Sequence, residues 1–273
     1  MWLGHQRGYG FYYSKCFRMP ELRTPLRPDF LALVNQPTHA GLTQSILEHW
    51  QDGRGFTLAT LNLDHIVKMR QNPVFLGSYM AQSHVVADGN PIVWLSRLAG
   101  RRIELIPGSE LVMPLAALAT EHDIPVALLG ATEETLQLAA DSLRKDYPKL
   151  QIVAQIAPPF GFDPTGANAD TYLETLRRAN AKLCFLALGA PKQEIFASRG
   201  ISQVPECGFV SIGAGLDFIA GQQTRAPQWV RKLALEWVWR MLGNPRRLAL
   251  RYTRCISIMP GLIWQAIKDR AHS

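Results

Sequence analysis

The chain has 273 residues, and its 29 Lys and Arg against 22 Asp and Glu give a formal net charge of +7. Apolar residues make up 47% of the chain and charged residues 19%, which is enough apolar material for a sizeable core. This composition excludes a disordered or collagen-like chain and predicts a globular protein.

The predicted elements alternate between strands and helices along the chain. Residues 1–28 are rich in Arg, Tyr and Gly and predict a loose N-terminal arm. Apolar and amphipathic spacing then predicts strands at 56–61, 125–130, 150–156, 182–188 and 209–212, and helices at 133–145 and 168–179. Because no hairpin signals interrupt this alternation, we expect an α/β fold of the Rossmann-like type, a mainly parallel sheet with helices on both faces. Ligands of such sheets bind beyond the carboxyl ends of the strands.

The segment at residues 189–194, GAPKQE, places three polar side chains on the first turn of a helix directly after a predicted strand. Its Lys, Gln and Glu are chemically capable there, but a capped helix with a solvated first turn has the same sequence. Gly130 and Gly189 likewise either open a helix N-terminus that holds a diphosphate or form plain turns. A dinucleotide-binding G-x-G-x-x-G motif and a P-loop are both absent from the sequence.

Asp88 follows an apolar run at 85–87 and precedes Gly89, at a predicted strand end. A carboxylate there is a candidate general base for an acceptor hydroxyl, or else the N-cap of the next helix. His65 and His84 are interpreted as structural or solvated side chains rather than metal ligands. Because the chain has no D-x-D motif, a nucleotide-sugar diphosphate would have to be neutralised by arginines and helix N-termini without a metal ion.

The charge is concentrated at the two ends of the chain. Residues 1–28 hold five Lys and Arg with one acid, residues 225–273 hold ten with two, and residues 29–224 hold fourteen with nineteen. We therefore predict an α/β core at 29–224 and a basic C-terminal appendage at 225–273, which also carries four of the seven tryptophans. An apolar stripe at 229–242 predicts a helix that either docks on the core or meets an anionic membrane surface. The acidic core argues against a nucleic-acid partner.

The four cysteines form no C-x-x-C pair and indicate neither a zinc ribbon nor a disulfide framework, so a reducing, cytoplasmic location is expected. No stretch reaches the roughly 18 uncharged apolar residues of a spanning helix. The best candidate, at 255–267, is shorter and contains Pro260. The sequence therefore predicts a protein that does not cross a membrane.

Several motifs in this order resemble the WecG/TagA/CpsF family of bacterial glycosyltransferases, glycosyltransferase family 26, over about residues 30–260. The resemblance is carried by 60–62 (TLN), 87–89 (ADG), Gly108 with Glu110, 128–130 (LLG), 147–148 (YP), 189–194 (GAPKQE), 217–221 (DFIAG), 225–227 (RAP), 235–237 (LEW) and 244–247 (NPRR). Its most specific parts are the run GAPKQE and the tail order RAP, LEW, PRR.

The resemblance implies an inverting, metal-independent glycosyltransferase without a cofactor. Such an enzyme moves a sugar from a UDP-sugar to a polyprenyl-diphosphate-linked sugar in exopolysaccharide or cell-envelope polysaccharide synthesis, peripherally at the inner face of the plasma membrane. Asp88 matches the family's candidate base. The implied donor-site residues are Thr60, Asn62, Glu110, Gly189, Lys192 and Gln193. The implied diphosphate and acceptor residues are Arg225, Arg231 and Arg240.

Two family patterns are changed in this chain. The usual glycine-rich G-x-G-G-S-F-D is altered, and residues 213–217 read GAGLD. Where relatives often have R-V-x-G-x-D, residues 105–110 read LIPGSE, so Leu105 replaces Arg and Glu110 replaces Asp. The donated sugar therefore stays open between N-acetylmannosamine, its uronic acid and glucose, and self-association also stays open. The alternative function is a non-catalytic peripheral membrane module that binds a nucleotide or a lipid head group.

Overall fold

The computed structural model describes residues 29–223, 227, 230, 238, 239 and 245–271. The predicted N-terminal arm and most of the predicted helix at 229–242 lie outside the described residues. The helices are the 3-10 turn Phe30–Leu33, α1 (His39–Gln51), α2 (Leu63–Gln71), α3 (Pro73–Met80), α4 (Asn90–Leu98), α5 (Gly108–Glu121), α6 (Glu133–Asp146), α7 (Ala167–Arg178), α8 (Lys192–Gln203), α9 (Gly215–Ile219) and α10 (Pro245–Ala271). The strands are β1 (Thr57–Leu61), β2 (His84–Ala87), β3 (Val126–Gly130), β4 (Ile152–Ile156), β5 (Leu183–Ala187) and β6 (Gly208–Ser211).

The six strands form one parallel sheet in the order β2-β1-β6-β5-β3-β4. Leu61 at the end of β1 is in register with Ala87 at the end of β2, so the two strands end side by side. The five predicted strands and the helices predicted at 133–145 and 168–179 are confirmed, with ends that differ by one or two residues. An apolar run identifies the buried part of a strand but not its last ladder hydrogen bond. The predicted Rossmann-like α/β fold is confirmed.

Helices cover both faces of the sheet. Leu58 of β1 joins a core with α1, α5, α6 and α9, whereas the neighbouring Ala59 joins a core with α2, α3, α4 and α10. On the other half of the sheet, α7 and α8 cover the same face as α2, and Phe196 of α8 packs edge-on against Phe209 of β6. Burial on both faces explains why the strands are almost continuously apolar.

Helix α10 docks on the core through α2 and α4. Its buried residues Leu248, Cys255, Leu262 and Ala266 form one stripe, and the last two belong to the core around α2 and α4. Residues 245–271 of the predicted appendage therefore pack on the core. Within the described ranges no helix is both long and apolar enough to span a membrane. The division of the chain at residue 225 stays a prediction.

Candidate active site

Asn62 and Asp88 face each other at the carboxyl ends of β1 and β2. Nδ2 of Asn62 donates to Oδ2 of Asp88 over 3.1 Å, and the backbone N–H of Asp88 donates to the carbonyl of Leu61 over 2.7 Å. At the other end of the same amide, Oδ1 of Asn62 accepts from the N–H of His65 over 3.1 Å and so caps α2. The cap fixes which end of the amide faces the carboxylate. Asp88 itself is half-buried, which leaves part of its carboxylate accessible.

Asp88 does not cap the helix that follows it. The N-cap of α4 is Gly89, and no side chain there bonds to the helix. Gly89 has a φ of +105°, a backbone conformation that residues with a Cβ rarely adopt, so the turn after β2 requires glycine. Asp88 is therefore not the N-cap residue of α4. Its carboxylate is held at the strand end by Asn62 instead.

Gln193 ties together the loops that follow β5 and β6. Its Oε1 accepts from the backbone N–H of Gly189 over 3.2 Å and from that of Gly213 over 3.3 Å, while its Nε2 donates to Glu194 Oε1 over 2.9 Å. Gln193 is buried, and Lys192 beside it is half-buried. The amide therefore determines the shape of the GAPKQE segment at the same edge of the sheet as Asp88.

Glu194 is fully buried rather than solvated on the first turn of α8. Burial raises the pKa of its carboxyl to about 7, because the charged form is poorly solvated. Oε1 accepts from Gln193, whereas Oε2 has no hydrogen-bond partner among the described residues. The alternative of a solvated first turn for GAPKQE is therefore wrong, since α3 packs over this helix and Gln82 Nε2 donates to the Glu194 carbonyl over 3.2 Å.

Thr60 and Gly108 meet where β1 and β6 end. A Cβ on Gly108 would lie 3.1 Å from Cγ2 of Thr60 and 2.9 Å from the carbonyl oxygen of Ser211, so the approach requires glycine. Gly108 begins α5, and no side chain caps this helix. Glu110, on the first turn of α5, is exposed. The structure thus brings Thr60 and the N-terminus of α5 to the sheet edge that holds Asn62.

Lys68 connects α2 to the loop that follows β5, and no motif in the sequence marks it as a site residue. Its Nζ donates to the carbonyl of Ala190 over 3.0 Å and pairs with Asp64 Oδ2 at 2.8 Å. Ala190 belongs to the GAPKQE segment, 122 residues further along the chain. The i,i+4 spacing of Asp64 and Lys68 is a detectable signal for a helical ion pair, but nothing in the spacing indicates the distant carbonyl.

His65 and His84 are buried structural side chains. His65 Nδ1 lies 3.3 Å from the hydroxyl of Tyr79, and burial lowers the pKa of His65 to about 3. The two ring nitrogens of His84 lie 2.9 Å from the hydroxyls of Ser45 and Ser83, and burial lowers its pKa to about 4. Both rings are therefore neutral near pH 7. In the described part of the chain, no three His, Cys, Asp or Glu side chains are grouped to hold a metal ion.

The three arginines predicted to hold a diphosphate, Arg225, Arg231 and Arg240, lie outside the described residues. Their role stays a prediction. The predicted residues that the structure places along the carboxyl edge of the sheet are Thr60, Asn62, Asp88, Glu110, Gly189, Lys192 and Gln193.

The profile of the glycosyl transferase WecG/TagA/CpsF family matches residues 30–273. The match includes the Asn62–Asp88 pair, the GAPKQE segment and α10, and it covers most of the chain. The chain belongs to this family and is a glycosyltransferase.

Individual relatives agree with this assignment. The chain is 25% identical over 214 residues to a Bacillus subtilis (strain 168) protein, covering 77% of this chain and 79% of the relative. It is 28% identical over 199 residues to a Staphylococcus aureus (strain MW2) protein, covering 72% of this chain and 76% of the relative. Both relatives are named N-acetylglucosaminyldiphosphoundecaprenol N-acetyl-beta-D-mannosaminyltransferase.

Proposed function

We propose that this glycosyltransferase moves N-acetylmannosamine from a UDP donor to an N-acetylglucosamine linked to polyprenyl diphosphate, with inversion and without a metal ion. The observation that carries this proposal is the half-buried carboxylate of Asp88, held by Asn62 at the carboxyl edge of the sheet. The sugar and the acceptor follow the names of the two relatives. The biological setting is the synthesis of exopolysaccharide or cell-envelope polysaccharide.

The proposed reaction is a direct displacement at the anomeric carbon. The acceptor hydroxyl oxygen forms the new bond to that carbon from one side, and the bond to the UDP oxygen breaks on the other side. Asp88 takes the hydroxyl proton, and UDP leaves with the electron pair of the broken bond. Because attack and departure occur on opposite faces, the configuration inverts.

In a metal-independent site, the negative charge on the departing UDP must be stabilised by positive charge from the protein. Among the helices that begin at the carboxyl edge, α5 and α8 have no side-chain cap. The helix dipole favours an anion at such ends. Arg225, Arg231 and Arg240 supply the remaining positive charge in this proposal. We call residues 189–193, at the start of α8, the donor loop.

The outward face of α10 supports peripheral binding to an anionic membrane at the cytoplasmic side. Ile256, Ile263 and Ile267 share this face with Trp264, which is 67% exposed. The ammonium of Lys268 lies 5.5 Å from the centre of the Trp264 ring. An apolar face flanked by aromatic and basic side chains is typical of helices that lie in a membrane interface. Such a position would bring the lipid-linked acceptor to the enzyme.

The test is release of UDP from a panel of donors, with and without an N-acetylglucosamine-diphosphate-lipid acceptor. The panel contains UDP-N-acetylmannosamine, UDP-N-acetylmannosaminuronic acid and UDP-glucose, because Leu105 and Glu110 depart from the family pattern. We expect acceptor-dependent release with UDP-N-acetylmannosamine, unchanged by EDTA. Acceptor-dependent release of UDP from only one of the other donors would show that the chain transfers that donor's sugar instead of N-acetylmannosamine. No acceptor-dependent release with any donor would favour the non-catalytic membrane module.

A further inference from the structure

A chain of polar contacts runs from α10 to the donor loop. Nε of Arg251 on α10 lies 3.1 Å from Oδ1 of Asp64 on α2, and Oδ2 of the same carboxylate lies 2.8 Å from Nζ of Lys68. Nζ of Lys68 donates in turn to the carbonyl of Ala190 over 3.0 Å. Three elements distant in sequence are thereby connected: the C-terminal helix, the helix capped by Asn62 and the donor loop.

The ammonium of Lys68 contacts a carboxylate and a carbonyl at the same time. The side chain of Asp64 is only 11% exposed, so its charge is weakly screened by solvent. Arg251 supplies a second cation to the other oxygen of this carboxylate and offsets part of its pull on Lys68. Without Arg251, we expect the stronger attraction of Asp64 to shift the Lys68 ammonium and weaken its hydrogen bond to the Ala190 carbonyl.

The carbonyl that Lys68 holds is close to the residues that shape the loop. Ala190 lies between Gly189, whose N–H bonds to the Gln193 side chain, and the start of α8. A hydrogen bond from a charged donor is stronger than one between neutral groups. Lys68 is therefore able to fix the backbone of the loop from outside it.

We infer that Lys68 is a positioning residue for the donor loop and that Arg251 of α10, acting through Asp64, sets how firmly Lys68 holds it. The inference rests on the proposed function, because the loop affects a donor only if the chain binds one. It gives the docked C-terminal helix a role in donor binding that is separate from contact with a membrane.

The experiment compares Lys68→Met, Arg251→Gln and the double variant in the full-length protein, with a water-soluble acceptor and no lipid. Arg144→Gln is the matched control. Arg144 on α6 is 43% exposed and Arg251 is 45% exposed, and each pairs with an aspartate, but the partner of Arg144 is Asp141 rather than Asp64. The readouts are KM for the UDP-sugar, kcat, UDP affinity by calorimetry, and hydrogen exchange of the peptide that covers the donor loop.

For Lys68→Met we expect KM for the donor and Kd for UDP to rise about tenfold, as loss of a charged hydrogen bond implies, with kcat unchanged at saturating donor. Arg251→Gln should raise both about threefold, as expected for a half-exposed ion pair. In the double variant the two effects should not multiply, because both act on one contact. Exchange of the donor-loop peptide should speed up in all three, but not in Arg144→Gln.

Other outcomes separate the two claims. If wild-type protein transfers sugar but Arg251→Gln matches Arg144→Gln in KM and exchange, the inference is overturned and the proposed function stands. Multiplying effects in the double variant, or a fall in kcat with donor KM unchanged, also overturn it. If wild-type protein neither binds UDP nor transfers a sugar, the proposed function fails, and the inference fails with it.

Discussion

Asn62 donates a hydrogen bond to Asp88 across 3.1 Å while its other amide atom caps α2. The Asn62 side chain thus connects the start of α2 to the candidate base Asp88. The position of the Asp88 carboxylate therefore depends on how α2 begins. Because β1 and β2 end in register, neither residue needs a long loop to reach the other. The sheet and the helix, rather than a flexible segment, fix the position of the Asp88 carboxylate.

Replacing Asn62 by Asp separates these two roles. Aspartate is as good an N-cap as asparagine, so the melting temperature should stay close to that of the wild type. A second carboxylate beside Asp88 removes its N–H donor and disfavours its ionised form, so the acidic limb of the kcat/KM profile should move to higher pH.

The control for this variant is Asn72→Asp. Asn72 caps α3 by accepting from the N–H of Phe75 over 3.1 Å, and it is the N-cap of a different helix. The Asn72→Asp variant should have the kcat/KM pH profile of the wild type. A profile of Asn62→Asp that coincides with that of the wild type would contradict the assignment of Asp88 as the ionised base.

Glu194 should make the protein less stable as the pH rises. Its folded-state pKa of about 7 lies above the ordinary value of 4.5, so its favourable contribution is complete below pH 4.5 and is lost as the pH rises through 7. Glu194→Gln keeps an oxygen for Gln193 but does not titrate. Urea unfolding should show the variant gaining about 3 kcal/mol on the wild type between pH 4.5 and pH 8. Glu134→Gln, an exposed glutamate on α6, is the control, and an equal gain there would refute the explanation.

Gly108 is a test of close packing beneath α5. In Gly108→Ala the new methyl group would lie 2.9 Å from the backbone oxygen of Ser211, which cannot move as a side chain does. We expect a loss of about 1–3 kcal/mol in the free energy of unfolding. Gly77→Ala, on α3 with nothing within 4 Å of the added atom, should instead gain about 0.5–1 kcal/mol. Thermal or urea unfolding measures both, and a neutral Gly108→Ala would contradict the packing argument.

The membrane role of α10 is best tested by point substitutions. Removing the helix would also remove Leu262 and Ala266, which belong to the core, and would uncover the side chains of α2 and α4 that pack against them. The double variant Trp264→Ser, Ile267→Ser removes two exposed apolar groups, and its partitioning onto anionic liposomes should fall by at least about tenfold. Leu138→Ser, an exposed leucine on α6, should bind as the wild type does. Unchanged sedimentation of the double variant would refute membrane binding by this face.

The sequence predicted the parts of the molecule that depend on local pattern. Apolar runs predict the strands, and the alternation of strands with helices predicts that the sheet is mainly parallel. The polar residues that follow the strands, Asn62 and Asp88 among them, are therefore expected at one edge of the sheet. The roles of Lys68 and Arg251 depend on contacts with residues far along the chain, which no spacing rule reports. Glu194 has the sequence context of a solvated first turn, and its burial is decided by the packing of α3 on α8.

The most direct test of the central claim is Asp88→Asn, assayed with UDP-N-acetylmannosamine and the lipid-diphosphate acceptor. The variant keeps the size of the side chain, and the Asn62 amide still has an oxygen to which it can donate. We predict an unchanged melting temperature, unchanged UDP affinity by calorimetry, and a kcat at least about a hundredfold lower, as expected for loss of a general base. Transfer at a rate near that of the wild type would contradict the account.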